Sequence, residues 1–363
     1  MADHGPPPFP DDVPTHPLLV IDYARIRAGD SGEKDNLWKA ATELGFWYLK
    51  NHGVEHEVNE MFKLGKAFME LPLDQKMQYE EGDDGMQFGY KAAGLHTADE
   101  QGTLDATEFL DVAKDDALAF PKAIHRTYPP LVADAFPTTL TPFVKRSIEI
   151  NETLLRVLGE KLGLEDGVME SMHIKEERSG CVTRVIRTPP QQGKPQVLEE
   201  QALLGAHTDF GSLSFLHNRQ GGLQVLAPGT ERWLYVKPLP DHAICNVGDA
   251  LNIFSGGLIR SNMHRVVAPP KAQAAYERYS MAFFTRPHDS VVLRPLIKES
   301  VVVANKVKEN SNYAEEERGT AGEWLVRRLK NLRTKNYHGV DSYRQHLGTE
   351  DYGRITGVAV AAA

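Results

Sequence analysis

The sequence predicts a mainly β fold with flanking helices and a core of the jelly-roll kind. After Gly180, short β-rich segments recur roughly every eight to fifteen residues with Gly and Pro between them, a pattern typical of β-sandwiches and barrels. A long amphipathic helical pattern precedes them after Pro142, and a second helical pattern spans residues 315–332. The 363 residues, of which 41% are hydrophobic, suit one large domain with a substantial core.

The N-terminal half alternates short strands with helical segments. An apolar run over residues 18–22 predicts the first strand. Residues 35–44 have helical composition, and Gly45 ends that helix as a C-cap before the aromatic strand 46–50. The elements predicted next are a helix over 58–69, a loop over 82–94, a strand over 108–112 and a long helix within 137–163.

Residues beyond 180 are predicted to form the β core. The predicted strands are 181–188, 203–207, 212–217, 223–226, 233–236, 243–247, 252–254, 264–267 and 279–285. The whole pattern divides the chain into five predicted regions. They are a flexible arm (1–16), a mixed α/β region (17–135), a supporting helical region (136–179), the jelly-roll core with the candidate site (180–290), and a C-terminal helical extension and tail (291–363).

The composition excludes several classes of function. The net charge of −9, without a Lys/Arg cluster, argues against a nucleic-acid binder. No apolar run approaches the ~18 residues of a membrane span, and the Pro-rich N-terminus does not resemble a secretory signal. Cys181 and Cys245 are predicted to be buried reduced thiols. We therefore expect a cytoplasmic protein without a membrane or an obligatory protein partner.

The stretch GAHTDFGSLS over residues 205–214 places an imidazole and a carboxylate two positions apart. Residues i and i+2 of a strand point to the same face, so His207 and Asp209 can aim at one point. With 14 His and 50 acidic residues, about two such H-x-acid triplets are expected by chance, so the motif depends on its context. The small neighbours Gly205, Ala206 and Gly211 are expected to leave room for ligands.

A third candidate metal ligand is His264, which lies in a later predicted strand. Two imidazoles and one carboxylate on one face of an octahedral metal leave three positions open. This facial triad is typical of non-haem Fe(II) oxygenases. A lone histidine is more often a core or surface residue, but the three residues together in a β-rich context favour a metal site.

Arg278 and Ser280 form the next signal. In a strand the two residues share a face, so a guanidinium and a hydroxyl can hold one carboxylate. The apolar residues 281–284 place this strand in the interior, where an unpaired arginine would be costly. We therefore expect an anionic ligand at Arg278.

Taken together, these motifs resemble the 2-oxoglutarate- and Fe(II)-dependent dioxygenases of the isopenicillin-N-synthase-like superfamily. The likeness spans roughly residues 17–290. The matching pieces are HTDFGSLS (207–214), GLQV (222–225), NVGD (246–249), HRV (264–266) and RYS (278–280), with VID (20–22), LGF (44–46) and NHGV (51–54) in the N-terminal half.

The resemblance implies a distorted double-stranded β-helix, with Fe(II) held by His207, Asp209 and His264. It implies that Arg278 and Ser280 bind the distal carboxylate of 2-oxoglutarate. It also implies oxidative decarboxylation of 2-oxoglutarate with O2 to succinate and CO2, coupled to hydroxylation, desaturation or ring closure of a small organic substrate. A natural-product pathway is the predicted setting. The residues interpreted as structural, because they shape a turn, are Asn246, Gly248 and Asp249.

One departure concerns the residue ahead of Pro189 and Pro190. Family members often carry a tyrosine there that contacts the cosubstrate or the substrate carboxylate, whereas this chain has Thr188. A threonine hydroxyl has a shorter reach, so the cosubstrate site is expected to be wider or to use another donor. Two alternatives stay open: an oxidase that uses O2 without 2-oxoglutarate, and an inactive binding module on the same fold.

The predicted substrate site is aromatic. In this superfamily the substrate enters over the iron, between the mouth of the barrel, the N-terminal region and the C-terminal helix. Packing in the core is the commoner role of any single aromatic residue. The residues predicted to line the site are Phe88, Tyr90, Phe210, Phe284 and Trp324.

Overall fold

Two β-sheets form the centre of the molecule, and helices cover them. The computed structural model describes residues 5–83, 85, 87–191, 202–309, 313, 318–340 and 348–349. The large sheet has the strand order β1-β2-β10-β7-β12-β5-β4-β3, and the small sheet has the order β6-β11-β8-β9. All neighbouring strands run antiparallel except β1 and β2, which are parallel.

The strands are short, as the sequence pattern predicts. Their bounds are β1 Val20–Asp22, β2 Phe46–Lys50, β3 Gly89–Lys91, β4 Glu108–Ala113, β5 Val182–Thr188, β6 Leu204–His207, β7 Leu213–Asn218, β8 Leu223–Leu226, β9 Trp233–Tyr235, β10 Ala243–Val247, β11 His264–Val266 and β12 Arg278–Thr285. Because strands from the N-terminal region and from the predicted core share the large sheet, both regions contribute to one core.

The helices pack around the sheets. Their bounds are α1 Tyr23–Arg27, α2 Ser31–Glu43, α3 Glu55–Met69, α4 Leu73–Met77, α5 Lys114–Ala119, α6 Pro130–Ala133, α7 Thr141–Lys161, α8 Val168–Ser171, α9 Asp249–Phe254, α10 Val301–Glu309 and α11 Ala321–Leu332. A π-helical turn, Phe136–Leu140, leads into α7, and 3-10 turns cover Lys271–Ala275 and Thr334–Asn336. No helix in the described ranges is long and apolar enough to cross a membrane.

The helix that bears most directly on the site is α11. A capping box starts it: the Thr320 side chain accepts from the Glu323 backbone N–H, and the Glu323 side chain accepts from the Thr320 backbone N–H. Its buried face repeats at helical spacing and includes Trp324, Arg328 and Leu329. A charged residue therefore lies on the face that packs inward.

The predicted fold class is confirmed, with local differences. Residues 252–254 were expected to form a strand, but they end helix α9, and all six residues of that helix are buried. A short apolar run that is buried on every side does not distinguish a strand from a helix by periodicity. Strand β3 lies inside the predicted loop 82–94, because Tyr90 pairs with Leu110 of β4. The predicted helix 315–332 begins at Ala321, and residues 315–317 lie outside the described residues.

The predicted arm packs on the sheets where it is described. The Phe9 side chain is buried, and its ring lies 6.2 Å from the Tyr235 ring, centroid to centroid. Thr15 forms a β-bridge with the same residue. The first four residues lie outside the description. The division of the chain into five regions stays a prediction.

Candidate active site

A cavity lies between the two sheets, and the sequence-predicted metal ligands are on its wall. Residues of the small sheet, such as His207 and His264, line it together with residues of the large sheet, such as Asn246 and Ser280. Helix α11 contributes Leu329. The cavity is therefore closed by β-strands on two sides and by the C-terminal helix.

His207 and His264 face each other across neighbouring strands. They are direct partners in the antiparallel register of β6 and β11, and their ring centroids are 4.3 Å apart. The Nδ1 atom of His207 lies 2.7 Å from the Gly205 carbonyl oxygen, and that of His264 lies 3.2 Å from the Asn262 carbonyl oxygen. With Nδ1–H donating to these carbonyls, each Nε2 keeps its lone pair for a metal.

Asp209 completes the group. Its Oδ1 lies 3.7 Å from the Nε2 of His207 and 3.7 Å from the Nε2 of His264. Its other oxygen, Oδ2, accepts hydrogen bonds from Ser214 Oγ at 2.5 Å and from Asn246 Nδ2 at 2.6 Å. The carboxylate is thus oriented with one oxygen held by the protein and one directed at the two imidazoles.

Asn246 has a more direct role than the sequence interpretation assigned to it. The motif that contains it was expected to shape a turn, whereas its amide holds a candidate metal ligand. The contact arises because β10 pairs with β7, which places Asn246 opposite Ser214. The motif itself was visible in the sequence, but this pairing was not.

Electrostatics favour a metal at this point. Burial, assisted by His264, lowers the pKa of His207 to about 4, so its imidazole is neutral at pH 7. Burial alone would raise the pKa of Asp209, but His264, His207 and the two hydrogen bonds hold it below its ordinary value. Within the described chain, these three are the group of His, Cys and acidic residues whose ligand atoms converge, all within 4.8 Å of one another. Their donor set fits Fe(II).

The predicted anion site lies in the same cavity. Arg278 is 2% exposed, its Nε donates to the Gly221 carbonyl oxygen at 2.7 Å, and its Nη1 donates to Ser280 Oγ at 3.1 Å. No described carboxylate lies within ion-pair distance of it. Burial lowers the pKa of Arg278 to about 10, which leaves it protonated at neutral pH. A buried cation without a protein anion fits the carboxylate of a ligand.

Thr188 is the direct cross-strand partner of Arg278, on β5. The threonine is completely buried, and its Oγ1 has no hydrogen-bond partner among the residues described. A donor is therefore left open beside the guanidinium. Its contact with 2-oxoglutarate stays a prediction.

An ion pair between Arg328 of α11 and Asp249 of α9 secures the loop that carries Asp209. The Nη1 atom of Arg328 lies 2.5 Å from Asp249 Oδ2, and both side chains are completely buried. The same carboxylate oxygen accepts from Thr208 Oγ1 at 3.0 Å, while Asp249 N–H donates to the Asp209 carbonyl oxygen at 2.7 Å. The C-terminal helix is thereby tied to the loop that carries Asp209.

The structure separates the aromatic residues predicted to contact substrate into two groups. Phe210 and Phe284 line the cavity. Phe88, Tyr90 and Trp324 do not belong to its lining. Phe88 packs 4.6 Å from the His125 ring, the Tyr90 hydroxyl lies 2.5 Å from Glu108, and Trp324 is buried in the main core.

Two glycines near the motif allow close packing, and Gly205 also lines the cavity. A Cβ atom at Gly205 would lie 2.2 Å from the Ala98 carbonyl oxygen, and one at Gly211 would lie 2.5 Å from Arg286 Cγ. Both glycines therefore allow other parts of the chain to approach. The expected room for ligands comes from the cavity between the sheets.

Two family models match the chain. The model described as the 2OG-Fe(II) oxygenase superfamily matches residues 180–287, which contain all three candidate metal ligands and Arg278. The model described as the non-haem dioxygenase in morphine synthesis N-terminal region matches residues 18–133.

Several curated relatives carry dioxygenase names. The 2-oxoglutarate-dependent dioxygenase frbH of Dothideomycetidae sp. is 30% identical over 280 residues, covering 76% of this chain and 84% of the relative. Leucoanthocyanidin dioxygenase of Malus domestica is 30% identical over 292 residues, covering 78% and 76%. Gibberellin 2-beta-dioxygenase 8 of Arabidopsis thaliana is 31% identical over 285 residues, covering 76% and 75%.

Solved structures share the fold. A full-length Neurospora crassa protein in complex with alpha-KG and thymine has a TM-score of 0.71 at 23% identity, covering 86% of this chain and 96% of its own. JOX2 in complex with 2OG, Fe and JA has a TM-score of 0.68 at 22% identity, covering 96% and 94%. Together with the sequence relatives, these matches show that the chain belongs to the 2-oxoglutarate- and Fe(II)-dependent oxygenase superfamily, as an oxidoreductase that uses Fe(II), 2-oxoglutarate and O2.

Proposed function

We propose that His207, Asp209 and His264 bind the Fe(II) and that Arg278 and Ser280 bind the distal carboxylate of 2-oxoglutarate. The convergence of the two Nε2 atoms on Asp209 Oδ1, with each Nδ1 and the other carboxylate oxygen held by the protein, is the observation that carries this assignment. When bound, the iron supplies O2 activation coupled to decarboxylation of 2-oxoglutarate.

The protein's own groups hold and orient the reactants. The hydrogen bonds from Ser214 and Asn246 keep Asp209 Oδ1 directed at the metal position. Arg278 provides a fixed charge at one end of the cavity, and the sheets exclude water around it. Thr188 would add one hydroxyl donor beside the guanidinium.

The substrate is a small organic molecule, and we place its oxidation in natural-product metabolism. The support is the set of dioxygenase names among relatives from fungi and plants. Hydroxylation is the expected outcome, with desaturation or ring closure as the other outcomes that this chemistry allows. The cytoplasmic location and the lack of a nucleic-acid or obligatory protein partner stay predictions.

The test is substrate-dependent succinate release from a panel of small metabolites, measured with and without added 2-oxoglutarate. Turnover that requires 2-oxoglutarate and Fe(II) is expected. Substrate oxidation that proceeds equally well without 2-oxoglutarate would favour the oxidase alternative. Retention of full iron-dependent succinate formation by His207→Ala would contradict the ligand assignment.

A further inference from the structure

A second buried arginine lies at the far end of strand β12. Arg278 begins this strand, and Arg286 follows its last residue; both line the cavity. Eight residues of extended strand separate the two Cα atoms by about 26 Å at ~3.3 Å per residue. A five-carbon dicarboxylate held by Arg278 cannot also bridge to Arg286. Any anion at Arg286 is therefore a different ligand.

Arg286 differs from the arginines near it in having no acidic partner. Arg184, also on the cavity wall, forms a bidentate pair with Asp111 at 2.8 and 2.6 Å, and Arg328 pairs with Asp249. Arg286 is only 8% exposed, and no carboxylate in the described ranges lies within ion-pair distance of it. Its Nη1 donates to the Gly180 carbonyl oxygen, while its Nε has no partner in that part of the chain.

Gln87 is a second buried polar group on the same cavity wall. Its side chain is 2% exposed, and neither Oε1 nor Nε2 finds a hydrogen-bond partner among the described residues. Leaving both ends of a buried carboxamide unpaired costs free energy, because each end has lost its hydrogen bonds to water. A ligand oxygen that accepts a hydrogen bond from Nε2 would satisfy the donor end of this amide.

The residues around Arg286 pack closely against its side chain. A Cβ atom at Gly211 would lie 2.5 Å from its Cγ, and one at Gly180 would lie 3.2 Å from its Nη1. The centre of the guanidinium lies 5.7 Å from the centroid of the Phe284 ring. Glycines on two sides and an aromatic ring hold this side chain close to the cavity, so its charge is preorganised.

When the charges of the iron, the cosubstrate and the residues proposed to bind them are summed, the positive charge of Arg286 is left unbalanced. In the proposed complex, the two positive charges of Fe(II) and the one of Arg278 balance the charge of Asp209 and the two carboxylates of 2-oxoglutarate. The apolar residues of the cavity wall include Phe109, Phe284 and Leu329. An apolar ligand that carries one negative charge would complement this end of the cavity.

We propose that the substrate is a small carboxylic acid with an apolar or aromatic skeleton, whose carboxylate is bound by Arg286, with Gln87 as a further polar contact on the same cavity wall. This proposal rests on the proposed function, because the same cavity holds the candidate iron site. Arg286 provides a planar pair of N–H donors that matches a carboxylate, and the Gln87 amide adds a further donor. Arg286 would determine specificity by binding the acid and rejecting its neutral analogues.

The first test compares carboxylic acids with their primary amides on the same skeletons. The probes are benzoate, phenylacetate and phenylpropanoate, each titrated calorimetrically against the full chain loaded with Fe(II) and 2-oxoglutarate without oxygen. At least one acid is expected to bind about tenfold or more tightly than its amide, the effect of one charge-assisted contact. A panel in which no acid exceeds its amide overturns the proposal, whether both members of a pair bind or neither does.

The second test uses variants of Arg286 and Gln87. Arg286→Met is expected to weaken binding of the acid by about ten- to a hundredfold and to change binding of the amide by no more than about twofold. Arg286→Lys should recover part of the affinity for the acid, and Gln87→Glu should reduce it by repulsion. Arg232→Met, which removes an exposed arginine outside the cavity, serves as the control. Equal loss of acid and amide binding in Arg286→Met and Arg286→Lys would contradict recognition of the carboxylate.

The proposed function is tested separately in the same titrations. If the wild-type protein with Fe(II) fails to bind 2-oxoglutarate, the proposed function fails, whatever the acids do. If 2-oxoglutarate binds and acids show no advantage over amides, only the substrate class is wrong.

Discussion

Arg278 and Arg328 are both buried, but the two regions in which they lie differ in whether the protein provides a carboxylate partner for the arginine. Between the sheets, Arg278 has a carbonyl and a hydroxyl as partners and no described carboxylate. Under helix α11, Arg328 has the carboxylate of Asp249 at 2.5 Å. A buried arginine with an internal carboxylate is part of the fold, whereas one without it is suited to an incoming anion. The two regions should therefore respond differently to the same substitutions.

The largest effect on activity is expected when a candidate metal ligand between the sheets is substituted. His207→Ala removes one of three convergent ligands, so we expect succinate formation to fall by roughly a thousandfold or more, because several kcal/mol of metal-dependent stabilisation are lost. The measurements are iron content and the rate of 2-oxoglutarate turnover. His242→Ala is the control, since this histidine lies outside the cavity. If His207→Ala keeps the iron content of the wild type, His207 is not a metal ligand. The contrast between groups that bind ligands and groups paired within the protein would then be lost.

The next effect is expected on stability, under α11. Arg328→Met leaves Asp249 buried without its cation, and we expect the free energy of unfolding to fall by about 3–5 kcal/mol. Urea unfolding measures it. The double variant Arg328→Met/Asp249→Leu should recover much of the loss, because no uncompensated charge remains. If the single variant is as stable as the wild type, the ion pair does not tie the helix to the loop.

The same substitution at the other arginine should act on ligand binding instead. Arg278→Met is expected to raise the KM for 2-oxoglutarate by about ten- to a hundredfold, the effect of a lost charge-assisted contact. Its free energy of unfolding should change little, since no protein carboxylate loses a partner. Arg278→Lys should retain part of the affinity. If Arg278→Met instead greatly lowers the free energy of unfolding and leaves the KM for 2-oxoglutarate unchanged, Arg278 has the structural role expected of Arg328.

The smallest effect is expected at Thr188, beside Arg278. Thr188→Val removes a hydroxyl that has no protein partner in the described chain, so stability should be unchanged. If the hydroxyl donates to 2-oxoglutarate, the KM should rise by about two- to tenfold, which corresponds to one neutral hydrogen bond. Steady-state kinetics with varied 2-oxoglutarate measure this. An unchanged KM would assign the cosubstrate site to Arg278 and Ser280 without Thr188.

Much of the fold could be predicted because its signals are local. Strands bounded by Gly and Pro are recognisable one at a time, and α7 was apparent from its helical periodicity. The failures were also local in origin. Helix α9 is too short and too apolar for its periodicity to be recognised, and β3 is only three residues long. The strand order of the sheets had no counterpart in any local pattern.

For the site, the sequence predicted which residues take part but not which groups form hydrogen bonds with them. His207 and Asp209 are close in sequence, so their convergence on one side follows from strand geometry. The contact of Asn246 with Asp209 joins residues 37 positions apart and required the pairing of β10 with β7. Arg286 and Gln87 belong to no motif that the sequence singles out.

By itself, the sequence determined which chemical groups are present and which strands can form, because ligand identity and backbone preference are properties of residues and their neighbours. Only the tertiary structure decided which buried charges find a partner within the protein. Arg328 and Asp249 meet across 79 positions, while Arg278 and Arg286 meet no described carboxylate. The reason is physical: the free energy of a buried charge depends on the groups packed within a few ångströms of it, and packing brings those groups from distant parts of the chain.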